Sequence, residues 1–161
     1  MGADTGLLRR SKKEQEEEFT TNKTNVTNQI VEIAVMDDFT NQDMEEAIKA
    51  IISMIDRSEK AQKKFAQGTS QYTLQKNRIN ALYIALSLVK KKLAINDGVN
   101  NFANNDFEKA LAPITSLISK SEKAQKKLSK KSWQYTMIGN NLKALEIALP
   151  MLKKKLSEMN D

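Results

Sequence analysis

Residues 39–93 recur at 102–156 with a constant offset of 63, and 28 of the 55 aligned positions are identical. Residues 58–64 return unchanged at 121–127, Gln71-Tyr72-Thr73 returns as Gln134-Tyr135-Thr136, and Lys90-Lys91-Lys92-Leu93 returns at 153–156. Identity of that extent, without a gap, is not a chance event. It marks one supersecondary unit copied in tandem and stacked on itself to close a core. Whatever this chain folds into must therefore be assembled twice from the same part.

The part reads as a helical hairpin. Met44, Ile48, Ile51, Ile55, Gln62 and Phe65 keep the three- and four-residue spacing of one helical face, and Phe107, Leu111, Ile114, Ile118, Gln125 and Leu128 repeat it. A second helix carries Ile79, Leu82, Leu86, Val89 and Leu93, matched by Leu142, Leu145, Leu149, Leu152 and Leu156. Asn41 and Asn104 are candidate N-caps. Asp43 and Asp106 follow in the first turn, where the helix dipole favours negative charge. Gln67-Gly68-Thr69-Ser70 punctuates the first hairpin and offers a capping hydroxyl for the next helix; Lys130-Lys131-Ser132 does the same without glycine. Pro113 and Pro150 stand where the first copy has Ala50 and Ser87, so each should kink its helix or shift its start.

The expected architecture is all-α: two antiparallel helical hairpins, 39–93 and 102–161, forming a four-helix bundle-like domain, joined by a linker at 94–101. Upstream we expect a flexible charged arm over 1–18 and an N-terminal helix over 19–38, the latter from Phe19, Val26, Ile30 and Ile33. Five Gly and two Pro among 161 residues leave little material for a fold rich in turns. No apolar run approaches the roughly 18 to 20 residues of a membrane span, and the N-terminus shows no apolar core followed by a cleavage site. The absence of cysteine excludes disulfides and thiolate metal sites, and fits a reducing, cytoplasmic setting.

Histidine is absent too, along with any Gly-rich phosphate loop or nucleophile elbow, which removes the commonest general base and the usual activated nucleophiles. The adjacent acidic residues, such as Asp37-Asp38 and Glu45-Glu46, point apart on a helix and do not converge as ligands. We expect no catalytic residues, no metal and no cofactor.

Three features suggest binding. First, helical projection turns Ser58, Glu59, Gln62, Gln71, Tyr72 and Arg78 inward near the first hairpin turn, and Ser121, Glu122, Gln125, Gln134 and Tyr135 near the second. Such groups must bond to one another, stay wet or meet a ligand, because burying each unpaired costs about 1 to 3 kcal/mol. Second, both repeats are basic. Arg57, Lys60 and Lys64 share an outer face with Lys63 beside it, and Lys123, Lys126, Lys127 and Lys130 make the equivalent region denser. Trp133, replacing Ser70 at the second turn, is either a cap over the core or an exposed anchor. Third, Leu74, Ala81, Ile84 and Leu88 lie away from the face centred on Leu82, and Met137, Ala144, Ile147 and Met151 repeat them, so the second helix of each hairpin should be sandwiched.

These features point to a non-enzymatic helical binding protein of adaptor, regulator or inhibitor type, contacting an acidic protein surface through Trp133, Lys123, Lys126, Lys127, Lys130, Lys60, Lys63 and Lys64. One alternative is sequence-independent nucleic-acid binding by the lysine faces. Another is a small ligand or metal between the polar hairpin ends. Self-association is a further option for the broad apolar helices.

Overall fold

The computed structural model describes residues 39–95 and 102–160. The charged arm and N-terminal helix expected over 1–38, and most of the linker, lie outside the described residues. Within them are four helices and no strand: α1 (Asn41–Gln62), α2 (Ser70–Lys92), α3 (Asn104–Lys126) and α4 (Trp133–Met159). They form the expected bundle of two hairpins.

Every pair of helices packs together except α1 and α3. The second helices of the two hairpins, α2 and α4, therefore lie across the short diagonal, each touching all three others. This explains their breadth of apolar surface. Ile79, Leu82, Leu86 and Val89 cover one side of α2 while Ala81, Ile84 and Ala85 cover another, and all seven are buried. Leu142, Ala144, Leu145, Ile147, Ala148, Met151 and Leu152 do the same in α4. The outer helices bury a narrower stripe: Met44, Ala47, Ile51, Met54 and Ile55 in α1, and only Phe107, Ala110 and Ile114 in α3. The alanines extend the expected stripes and let neighbouring backbones approach.

The helix ends show what the copies share and where they part. Both hairpin turns use one device. The Thr69 hydroxyl donates to the Ala66 carbonyl at 2.7 Å and accepts the Tyr72 amide at 3.2 Å; the Ser132 hydroxyl donates to the Ser129 carbonyl at 2.7 Å and accepts the Tyr135 amide at 3.2 Å. A short hydroxyl thus closes the turn and caps the next helix. Gly68 takes a left-handed φ of +88° in the first turn, which Lys131 does not copy.

The starts of α1 and α3 correct the sequence reading by one residue. Asn41 and Asn104 are already helical, and the N-caps are Thr40 and Ala103. Thr40 forms a reciprocal capping box, its hydroxyl accepting from the Asp43 amide at 3.0 Å while its own amide donates to Asp43 Oδ2 at 3.1 Å. Ala103 keeps only half of this, its amide donating to Asp106 Oδ2 at 2.9 Å. The prolines also correct the expectation of a shifted start: α3 and α4 begin 63 residues after α1 and α2 and run on past Pro113 and Pro150.

At its other end α2 closes with a Schellman motif. The Ala94 amide donates to the Lys91 carbonyl and the Ile95 amide to the Lys90 carbonyl, both at 3.0 Å. Ala94 holds a φ of +58°, a position that favours glycine.

A basic turn end and two inter-hairpin grooves

Short turns make both hairpins antiparallel, so in this bundle the two turns lie at the same end. All the buried residues lie in the opposite half. None occurs in residues 56–78 or 119–141, which form the turn half of the bundle. Those two segments hold twelve Lys or Arg against three Asp or Glu, a net charge of +9; the rest of the described chain holds nine against seven, a net +2. Charge and core are therefore segregated along the bundle axis. Lys60, Lys63, Lys64, Lys123, Lys126, Lys127 and Lys130 are all exposed. Among them Lys60 alone has an ion-pair partner in the described residues, Asp56 at 2.9 Å, an exposed i,i+4 pair of little energetic weight. Trp133 begins α4 at this end with 69 % of its surface exposed.

The inward polar cluster is only partly as expected. Ser58, Glu59, Gln62, Tyr72, Arg78, Ser121, Gln125, Gln134 and Tyr135 are half-buried, whereas Gln71 and Glu122 are exposed. The two projected inward only on an ideal extension of the core stripe, and no core continues that far. The cluster is also bonded differently in each copy. Tyr83 donates its hydroxyl to Glu59 Oε1 at 2.7 Å, tying α2 to α1. The antiparallel arrangement makes this reach natural, because each side chain leans toward its own N-terminus and hence toward the other. The carboxylate acceptor holds the Tyr83 hydroxyl above its ordinary pKa, with burial adding to the effect. In the second copy position 83 becomes Glu146, and Gln125 donates instead to the Tyr135 carbonyl at 3.3 Å.

Gly139 explains how Gln125 fits. A Cβ there would lie 3.1 Å from Gln125 Nε2, so this helical glycine, in place of Lys76, leaves the space that the amide occupies. Sequence reasoning missed Gly139; its signal was a glycine in mid-helix, which costs about 1 kcal/mol unless packing needs it. Gln75 Oε1 remains buried without a hydrogen-bond partner.

The feature least visible in the sequence is a pair of grooves between hairpins. One lies between α1 and α4, the other between α2 and α3, and most of their lining residues are related by the offset of 63. Asp43, Ala47, Ser53, Asn140, Ala144 and Ile147 in the first correspond to Asp106, Ala110, Ser116, Asn77, Ala81 and Ile84 in the second. The duplication has made one groove twice. The α1–α4 groove is spanned by the protein itself. Lys143 Nζ meets Asp43 Oδ1 at 2.9 Å, and Arg57 lies across the seam with Nη1 3.0 Å from Met137 Sδ and Nη2 donating to Ser53 Oγ at 2.7 Å. Arg57 thus belongs to this seam and not to the outer lysine face. Hydrogen bonding to Lys143 and to the Thr40 amide lowers the Asp43 pKa, and Asp43 raises that of Lys143.

In the α2–α3 groove those bridges are gone. Asn80 stands for Lys143, Lys120 for Arg57 and Leu74 for Met137. Arg78 replaces Asn141 on the wall, half-buried and without a partner among the described residues. Burial alone pulls its pKa below the ordinary arginine value.

Among the described residues no three His, Cys, Asp or Glu side chains group as a metal site, and no helix is long and apolar enough to cross a membrane. No protein-family model, curated protein or solved structure matches the chain.

Proposed function

We propose that this is a non-enzymatic helical binding protein of the cytoplasm, an adaptor, regulator or inhibitor, that docks its turn end onto an acidic protein surface. The observation that carries the reading is Trp133, 69 % exposed at the start of α4 on the lysine-rich half of the bundle. An exposed tryptophan at the lip of the α1–α4 groove, on the basic half of the bundle, has the composition of an interface anchor: aromatic area supplies affinity and the surrounding charge steers the encounter. Segregation supports this further. The half that carries +9 contributes no fully buried residue, so most of its charged side chains are exposed to a partner.

The same charge would also attract nucleic acid. Among the described residues the aromatic surface at this end is sparse, however: exposed Trp133 and Phe65 stand on different hairpins, and Tyr72 and Tyr135 are half-buried. Affinity capture from the native cell, with and without nuclease, tests the proposal. The protein-partner reading expects bound protein that survives nuclease and is lost from a Trp133→Ala, Lys126→Glu, Lys127→Glu variant whose helicity is unchanged. Complete release by nuclease, with binding that weakens steeply as salt rises, would replace it with the nucleic-acid reading.

A further inference from the structure

The duplicated grooves differ in a way that points to a ligand. In the α1–α4 copy, the protein's own Arg57 and Lys143 span the cleft. The α2–α3 copy, about 900 Å³ against about 750 Å³, has neither bridge, so the two grooves differ in chemistry more than in size. Its lining mixes apolar Leu74 and Pro113 and the ring of Tyr83 with polar Asn77 and Asn80 and the cations Arg78 and Lys109, over a floor of buried Ala81, Ile84 and Ala110. Leu74 is a large apolar side chain that the described residues leave 47 % exposed. Arg78, set among these residues where the other groove has neutral Asn141, finds no acceptor among the described residues. The one carboxylate on the wall, Asp106, accepts the Ala103 amide at the start of α3.

We infer that the α2–α3 groove binds a small amphipathic carboxylate, its head on the Arg78 guanidinium and its alkyl chain along the half-buried Tyr83 and Pro113, over the core residues Ile84 and Ala110. A half-buried guanidinium offers a planar fork of donors that matches a carboxylate in two parallel hydrogen bonds. Partial desolvation, which already lowers the Arg78 pKa, strengthens such a pair relative to one in open water. The rise from Arg78 to Tyr83 is about 7.5 Å along the helix, which suits a medium-length alkyl chain. This site lies on the flank of the bundle and does not depend on docking at the turn end.

The test is titration of the full chain with hexanoate, octanoate and decanoate below their micelle concentrations, followed by calorimetry and by the amide resonances of Ile84 and Ala110. Affinity should rise about threefold to fourfold for each methylene that enters the groove. Octanol, of equal length without the charge, should bind at least tenfold more weakly than octanoate. Arg78→Gln should lower octanoate affinity at least tenfold, and Ala112→Trp, on the exposed rim of the groove, should abolish binding with helicity retained. The inference is overturned if octanol binds as tightly as octanoate, if Arg78→Gln binds octanoate normally, or if millimolar octanoate leaves the Ile84 and Ala110 resonances of the wild-type chain unmoved.

Discussion

The two ends of this bundle are built to different rules. The half away from the turns holds every buried residue, near-balanced charge, a capping box and an inter-hairpin ion pair. The turn half holds no buried residue, a charge of +9, an exposed tryptophan and a buried amide oxygen without a partner. Both halves come from the same duplicated unit, so the contrast runs along the hairpin and is present in each copy. It teaches that the hairpin divides its labour. One end holds the fully buried core, and the other is tied by hydrogen bonds and half-buried side chains and carries most of the charge.

The strongest way to break that contrast is to compare deletions of side-chain volume. Leu82→Ala and Leu145→Ala, both fully buried, should each cost about 2 to 5 kcal/mol in chemical denaturation. Phe65→Ala, exposed past the end of α1, should cost less than about 1 kcal/mol. Equal losses at the two ends would mean that the turn half carries packing that burial does not reveal.

Helix termini in the stable half should respond next, and in opposite directions. Thr40→Ala removes the capping hydroxyl and should destabilise by about 1 kcal/mol. Ala103→Thr installs the hydroxyl that the second copy lacks, beside an Asp106 already in place, and should stabilise by a similar amount. Ala94→Gly relieves a left-handed backbone and should also raise stability, by roughly 1 kcal/mol.

These ends also show how far the sequence could be read. The repeat, both hairpins, the hydroxyl caps of the turns and the sandwiched second helices were legible, because each is a local pattern or a comparison of two copies. Thr40 was hidden behind Asn41, since both residue types cap well and only the backbone decides between them. The half-buried polar cluster was placed at the correct end, but Gln71 and Glu122 were turned inward by extending an ideal stripe beyond the last buried residue. The grooves were not legible at all. Each is made by helices from different copies, and the periodicity of one helix does not encode its rotation against another. Arg57 was misread for the same reason: its partner Met137 is 80 residues away.

Smaller effects come from the polar ties. Tyr83→Phe should cost about 1 kcal/mol, the worth of one hydrogen bond to a partly exposed carboxylate. The raised Tyr83 pKa means that this stabilisation is intact below pH 10 and fades as pH rises through the folded value. Asp43 works in the other sense. Its lowered pKa gives stability above about 3.8 that is lost as pH falls through the folded value, and Asp43→Asn should flatten that part of the acid unfolding curve. Smallest of all should be Lys126→Glu with Lys127→Glu, which relieves like-charge crowding and should leave stability within about 0.5 kcal/mol of the parent or slightly above it.

That last pair gives the most direct test of the central claim, that the turn end serves binding and not folding. The measurement combines Lys126→Glu, Lys127→Glu and Trp133→Ala in one chain and compares its unfolding free energy and its nuclease-resistant capture of protein with those of the wild type. The account predicts stability little changed and capture lost. Undiminished capture, or a chain that fails to fold, would contradict it.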